Sequence, residues 1–385
     1  MLASYLNLWR IHRSYPSKRI SRLPKTKTGS SDALSAEPKP KRDHKADIVI
    51  PIYNNYNDTK VLLEQLRHEA AEHRSIILVN DCSTDDRMSP MLADYCKDVP
   101  KAFLIENERN LGFVKTCNSG IEIATSDVVI LNTDIELPRG AVTRIVTTLR
   151  SADDIATVTP FSNSAYGVGI PNLIRHNERP FGAETNEIDR AFQSLNALAP
   201  IDVPRGVGFC MAMSRTVIDR IGPFSLDYGQ GYGEEADFCM RARNIGFRSV
   251  IAPNVYVYHK GGQSFGGTWQ KKARAGQLLF LSRHPGFVKM MRDYLENCEA
   301  RAAAFMALVA LSRNLSGQQP TIVAARYEPN DTSPENDKPF ISVTDCHDKI
   351  AVRISMKHDD YAFHFVNLNV ARNVFLTSQL PFPFE

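Results

Sequence analysis

The sequence is poor in the features that would mark a secreted, zinc-stabilised or membrane-spanning protein. Its seven cysteines, at 82, 96, 117, 210, 239, 298 and 346, are odd in number and scattered, with no Cys-x-x-Cys pair. That pattern argues against a disulfide framework or a structural zinc site and fits a reducing, cytoplasmic compartment. No stretch reaches the 18 or so apolar residues of a membrane-spanning helix. The longest, 302–311, lies between Arg301 and Arg313 and reads as a buried helix packed on the main domain. Phosphate-loop signatures are missing too: there is no G-x-x-x-x-G-K-[ST], and Gly229, Gly231 and Gly233 follow no suitable strand. ATPase and dehydrogenase chemistry lose their main support.

What is present is an ordinary globular composition, 43% hydrophobic and 23% charged over 385 residues, enough for two or three units. The net charge of +3 conceals a division. Residues 1–45 hold 11 Lys/Arg against 3 Asp/Glu, and the rest hold 35 against 40. The bulk of the chain therefore offers no nucleic-acid surface. The leader reads as a basic flexible arm, and Arg10 and Arg13 interrupt any apolar core of a secretory signal. Trp9 and the leucines near it, followed by basic residues, also allow peripheral association with the inner face of a membrane.

From Asp47 onward, short apolar runs alternate with helical periodicity. Strands are expected at 47–52, 75–79, 102–105 and 127–131. A first helix is capped by Asn57 or Asp58, with Val61, Leu62, Leu66 and Ala70 on its apolar face; a second covers 113–124, and another begins near Pro138. Near-continuous apolar strands separated by helices predict an α/β fold with a mostly parallel sheet, Rossmann-like and flanked by helices. Ligand then belongs at the carboxyl ends of the strands. Polar clusters fall there: Tyr53, Asn54 and Asn55; Asn80 and Asp81; Asn132, Thr133, Asp134 and Glu136. The chain divides into a leader (1–45), a main domain (46–265), a C-terminal helical extension (266–314) and a small β-rich tail (315–385), the tail expected to be antiparallel.

Three clusters carry chemistry. Asp134 with Glu136 nearby is suited to a divalent cation shared with a diphosphate, Mn2+ or Mg2+, or is a solvated or capping acid. Glu234, Glu235 and Asp237 open a helix, where they favour its dipole; crowding also raises the cost of ionising all three, which tunes a general base. His259 ends an alternating strand, Val255 and Val257 against Tyr256 and Tyr258, as a structural histidine or as a ligand completing the site of Asp134.

Taken together and in order, VIPIYNN, VNDCSTDD, NERNLGFVKTCNSGI, LNTDIELP, RGVGFCMAMSR, YGEEADFCMRARNIGF and VYVYHKGG resemble glycosyltransferase family 2, inverting enzymes of the GT-A fold, and within it the rhamnosyltransferase-like branch. The resemblance covers about residues 46 to 265. It implies that Pro51, Tyr53 and Asn54 border the donor nucleotide, that Asp81 contacts the pyrimidine, and that Asn110, Gly112, Lys115 and Asn118 line ribose and diphosphate. It makes Asp134 the metal acid of a D-x-D-like motif, Glu235 the general base and His259 a further metal ligand. Two departures stand out. Asn132 replaces the first acid of the motif, leaving it and Thr133 toward ribose or sugar, and Glu234-Glu235 replaces the usual Glu-Asp, so Glu234 and Asp237 remain candidates for the base.

The implied reaction moves a hexose from a UDP- or dTDP-sugar to a hydroxyl of a glycan or lipid-linked acceptor in cell-envelope polysaccharide synthesis. It needs no serine or cysteine nucleophile, so Cys82 and Cys117 are packing residues. Asn163, Arg205 and Phe209 are candidates for choosing the sugar. The alternative is a non-catalytic nucleotide-sugar or carbohydrate-binding protein with the same fold, and the tail is free to bind acceptor or to form a homo-oligomer. A sugar-nucleotide pyrophosphorylase is disfavoured, because VIPIYNNYND has no glycine-rich basic loop.

Overall fold

The computed structural model describes residues 19–20, 45–67, 74–229, 231–261, 269–296, 299–319, 321–325, 340–345, 350–356, 359–365, 374 and 378. Apart from Arg19, Ile20 and Lys45, the leader lies outside the described residues, as do Ala70, Cys298 and Cys346. Arg19–Ile20 form a short strand, β1.

The sheet builds up from β2 (Asp47–Ile52), helix α1 (Tyr56–Arg67), β3 (Ser75–Asn80), α2 (Met88–Asp98), β4 (Ala102–Glu106), α3 (Phe113–Ile123) and β5 (Val128–Leu131). β2 is parallel to both β3 and β5, and β3 to β4. The chain therefore runs outward through β3 and β4 and then returns to the other side of β2. The switch point between β2 and β5 is where such a sheet opens a ligand crevice. Ile48, Val49 and Ile50 are fully buried, as a strand covered on both faces must be.

Next come the two-residue β6 (Ile135–Glu136), α4 (Ala141–Leu149), β7 (Ile155–Phe161), α5 (Thr185–Gln193), β8 (Ile201–Val203), β9 (Cys210–Met213), α6 (Arg215–Ile221), α7 (Glu234–Asn244), β10 (Arg248–Tyr256) and β11 (Tyr258–His259). The full sheet has the order β4-β3-β2-β5-β9-β7-β10-β8, with β9 antiparallel to β5 and β7, and β8 antiparallel to β10. This is the helix-flanked, mostly parallel arrangement expected of a GT-A fold.

Three local expectations are corrected. Val61 is 45% exposed, and the buried positions of α1 are Thr59, Leu62, Leu63 and Leu66, the i, i+3, i+4, i+7 face of a helix that begins at Tyr56. Pro138 does not start a helix: Ala141 N–H donates to its carbonyl across Gly140 (φ 72), and α4 begins after that turn. The alternation around Tyr256 is not inside-versus-outside either. Val255, Tyr256 and Val257 are all fully buried, because α5 covers the strand and stacks Phe192 on Tyr256 at 5.8 Å.

Three helices follow: α8 (Trp269–Arg283), α9 (Phe287–Glu296) and α10 (Glu299–Ser316). No helix among the described residues is long and apolar enough to cross a membrane. The last strands are β12 (Thr321–Ala325), β13 (Phe340–Asp345), β14 (Ile350–Met356) and β15 (Asp359–Phe365). They form a sheet of order β1-β15-β14-β13-β12. Its centre is antiparallel as expected, but both edges are parallel, β12 to β13 and β1 to β15. Ala302 to Val309 are buried without a break, so α10 is apolar all round. It lies between the two layers, touching α5 and β10 on one side and β14 and β1 on the other.

Candidate active site

Asp134 follows β5 and is 5% exposed. The chain then enters β6, which pairs antiparallel with β11 and sets Ile135 opposite His259 and Glu136 opposite Tyr258. This register brings His259 Nε2 to 3.4 Å from Asp134 Oδ1. Burial alone would raise the Asp134 pKa, but the contacts from His259 and the Gly261 N–H outweigh it and hold the carboxyl below its ordinary value. The imidazole is fixed on every side. Its backbone N–H donates to Asn163 Oδ1 at 2.8 Å, Nδ1 lies 3.3 Å from the Ser164 carbonyl, and the ring stacks on Phe209 at 5.0 Å and 15°.

A carbonyl can only accept, so Nδ1 carries the hydrogen toward Ser164. Nε2, the remaining ring nitrogen, faces the carboxylate, a place that a proton or a cation can occupy. Asn132 Oδ1, buried and without a hydrogen-bond partner, adds an amide oxygen two residues away. Among the described residues no group of three His, Cys, Asp or Glu side chains forms a complete metal cage. One carboxylate, one imidazole nitrogen and an amide oxygen nevertheless fit Mn2+ or Mg2+, ions that take their remaining ligands from a diphosphate and water.

Glu234, Glu235 and Asp237 stand in the first turn of α7, all buried, and their partners separate them. Asp237 accepts from Tyr228 Oη at 3.2 Å and Arg241 Nε at 2.8 Å, and lies 2.9 Å from His284 Nε2. With its lone pairs committed, Asp237 is an anchor for the helix. Glu235 is held by Arg205 Nη1 at 2.8 Å. Burial, and the charge of Glu235 beside it, push the Glu234 carboxyl well above the ordinary glutamate range, and its Oε2 has no partner. The neighbouring acids are thus unlike: Glu234 enclosed with its carboxyl pushed up by burial, Glu235 in contact with a guanidinium.

The nucleotide-side candidates divide into ordering residues and open ones. Asp81 accepts from the Leu111 N–H at 2.8 Å, the Gly112 N–H at 2.9 Å and Asn107 Nδ2 at 2.8 Å, drawing the 107–112 loop onto the end of β3. Gly112, at φ 84, supplies the left-handed turn that opens α3. Asn54 Oδ1 accepts from the Thr84 N–H at 2.8 Å, and the Asn54 N–H donates to Ser83 Oγ, tying the loop after β2 to the loop after β3. Asn118 gives both ends of its amide to Phe224, Nδ2 to the carbonyl at 2.8 Å and Oδ1 to the N–H at 3.1 Å, so it bolts α3 to the segment before α7. Thr133 is buried beside Asp134, Pro51 is half-buried, and Tyr53, Asn110 and Lys115 are exposed.

Residues 47–222 match the family model described as Glycosyl transferase family 2. Over those residues the chain is similar to glycosyl transferase family 2. A relative described as an uncharacterized glycosyltransferase, from Rickettsia bellii (strain RML369-C), is 32% identical over 103 residues, 25% of this chain and 15% of that protein's length. Among solved structures, a mannosyltransferase, PcManGT from Pyrobaculum calidifontis in complex with GDP-Man and Mn2+, aligns at 18% identity and TM-score 0.47 over 82% of this chain and 84% of its own. GalNAc-T7 with UDP, GalNAc and Mn2+ aligns at 13% and 0.45, over 82% and 65%. The family 2 match includes Asp81, Asp134 and Arg205 and ends before Glu235 and His259.

One short loop joins the two halves of the site. Arg205 holds Glu235, a Cβ built on Gly208 would lie 3.9 Å from Glu235 Cβ, and Phe209 stacks on His259 while its carbonyl accepts from the Asn132 N–H. Gly208 and Phe209 are consecutive, with Cα atoms about 3.8 Å apart. Arg205, Phe209 and Asn163, read in sequence as sugar-selecting, sit here on Glu235 and His259. Sequence reasoning missed His284, and also Arg179, which contacts Glu136 at 2.6 Å. Both lie outside the seven motifs, and no local pattern announces a partner 43 or 47 residues away.

Proposed function

We propose that the chain is an inverting glycosyltransferase, moving a hexose from a UDP- or dTDP-sugar to a hydroxyl of a glycan or lipid-linked acceptor. The observation carrying this reading is the 205–209 loop, whose Arg205 and Gly208 meet Glu235 while the adjoining Phe209 stacks on His259. Asp134 and His259 would hold a divalent cation, with Asn132 near it; when bound, it supplies positive charge for the diphosphate. The chain's own residues do the rest. Lys115 faces the donor phosphates. Arg205 aims Glu235, which takes the proton of the acceptor hydroxyl while that oxygen bonds to the anomeric carbon. The bond from that carbon to the diphosphate oxygen breaks, and the nucleoside diphosphate departs. Glu235 is preferred as base because Arg205 orients it, Asp237 is committed to Arg241 and His284, and burial pushes the Glu234 carboxyl well above the ordinary range.

The same reading assigns the protein to the rhamnosyltransferase-like branch and to cell-envelope polysaccharide synthesis on the cytoplasmic side. It treats residues 1–45, 46–265, 266–314 and 315–385 as separate units, the first available for peripheral membrane contact. The test is turnover on a panel of UDP-, dTDP- and GDP-sugars with and without Mn2+, in wild type, Asp134→Ala and Glu235→Gln. Expected are Mn2+-dependent transfer, its loss in Asp134→Ala, and a kcat about 10²–10⁴-fold lower in Glu235→Gln with donor binding retained. Donor binding without product on any acceptor, unchanged by Glu235→Gln, establishes the non-catalytic binding protein instead.

A further inference from the structure

The ribbon that carries the cation pair is too short to hold itself. β6 and β11 contribute two residues each, far below what an isolated hairpin needs for stability. Arg179 supplies the support. Its Nη2 meets Glu136 Oε1 at 2.6 Å on one strand, and its guanidinium lies over the Tyr258 ring at 4.4 Å on the other, so a single side chain staples the cross-strand pair next to Ile135 and His259. Thr185 Oγ1 takes the second Glu136 oxygen at 2.5 Å.

Arg179 stands two residues before Phe181 in an irregular segment; its carbonyl accepts from the Gly182 N–H, and its Nη1 lies 2.6 Å from Glu184 Oε2. Phe181 is 1% exposed and adopts φ 56, a conformation that a phenylalanine keeps only where its surroundings over-determine it. Those surroundings come from β15. Phe181 N–H donates to Asp359 Oδ2 at 2.6 Å, and its ring packs against Tyr361 at 5.3 Å. The C-terminal sheet thus holds Phe181, and the tight turn that the Gly182 N–H closes on the Arg179 carbonyl links Phe181 to the residue that staples the ribbon.

We propose that the C-terminal sheet keeps the cation ribbon in register, with Asp359 as a positioning residue acting through Phe181 and Arg179. This rests on reading Asp134 and His259 as a cation pair. Mn2+ binding to the full chain, followed by electron paramagnetic resonance without any donor, tests it alongside thermal melting. Loss of an indirect partner of a metal site costs about 10–100-fold in affinity, so Arg179→Ala is expected to weaken Mn2+ binding about 10-fold. Asp359→Ala, one contact further away, weakens it by about 5-fold. Asp359→Asn keeps an oxygen for the Phe181 N–H and restores binding to within about twofold of wild type. A purely structural role would lower the melting temperature and leave Mn2+ affinity untouched. Wild-type affinity in folded Asp359→Ala overturns the proposal; should that variant fail to fold, wild-type affinity in Arg179→Ala does so. If wild type binds no Mn2+, and His259→Ala changes nothing, the cation reading itself falls and the positioning role falls with it.

Discussion

Glu234 and Glu235 are chemically identical side chains one residue apart, and what separates their roles is the company each keeps. Glu235 has a guanidinium at 2.8 Å. Glu234 is enclosed, with an oxygen that nothing satisfies. Its folded pKa lies above the ordinary value of 4.5, so the folded state holds a proton that the unfolded state releases. This contribution is fully present below pH 4.5 and is lost as pH rises from there toward the folded pKa. Glu234→Gln, which carries no titrating proton, should therefore raise the melting temperature at pH 8 more than at pH 4. Melting curves for both proteins across that range check this; equal shifts at both ends would show that Glu234 is ionised in the fold. Cys117, also near the site, is fully buried with its thiol pKa pushed up by that burial, consistent with packing and not nucleophilic attack.

At the scale of elements, α7 is aimed from outside itself. Asp237 receives Arg241 from its own helix and His284 from just beyond α8. The two segments also approach closely: a Cβ on Gly276 of α8 would lie 2.0 Å from the Tyr232 carbonyl oxygen, so only glycine fits there. The helical extension is therefore part of the machinery that holds the first turn of α7. His284→Ala removes a partner from a buried carboxylate and should cost about 1–3 kcal/mol in denaturant unfolding. His284→Gln, which retains a donor, should recover part of that loss. A change within experimental error in His284→Ala would mean that Arg241 and Tyr228 suffice.

For the whole molecule, the decisive element is α10. Phe305, fully buried, meets Phe363 of β15 edge-on at 5.2 Å, while the helix also lies on α5 and β10. Phe305→Ala removes a large side chain at the junction of the two sheets, and such truncations cost about 3–5 kcal/mol. If the layers depend on each other, the main sheet and the C-terminal sheet should lose stability together in one unfolding transition. Two resolved transitions, only the second matching wild type, would show that the main domain stands without its tail.

Much of this molecule was written in short stretches of its sequence. The apolar runs at β2, β3 and β5 and the polar residues that follow them depend on neighbours within a few positions, so periodicity places them and the edge on which they meet. The phase of α1, the double-sided burial of Tyr256 and the start of α4 depend instead on what packs against them. The different surroundings of the three acids of α7 were illegible for the same reason. They come from Arg205, 30 residues before Glu235, and from His284, 47 residues after Asp237. The part of the C-terminal sheet was decided by contacts spanning 178 residues, from Asp359 back to Phe181. Local propensity acts along the chain over a few bonds, whereas charge pairing and burial act through space, and only the folded chain brings those groups within range.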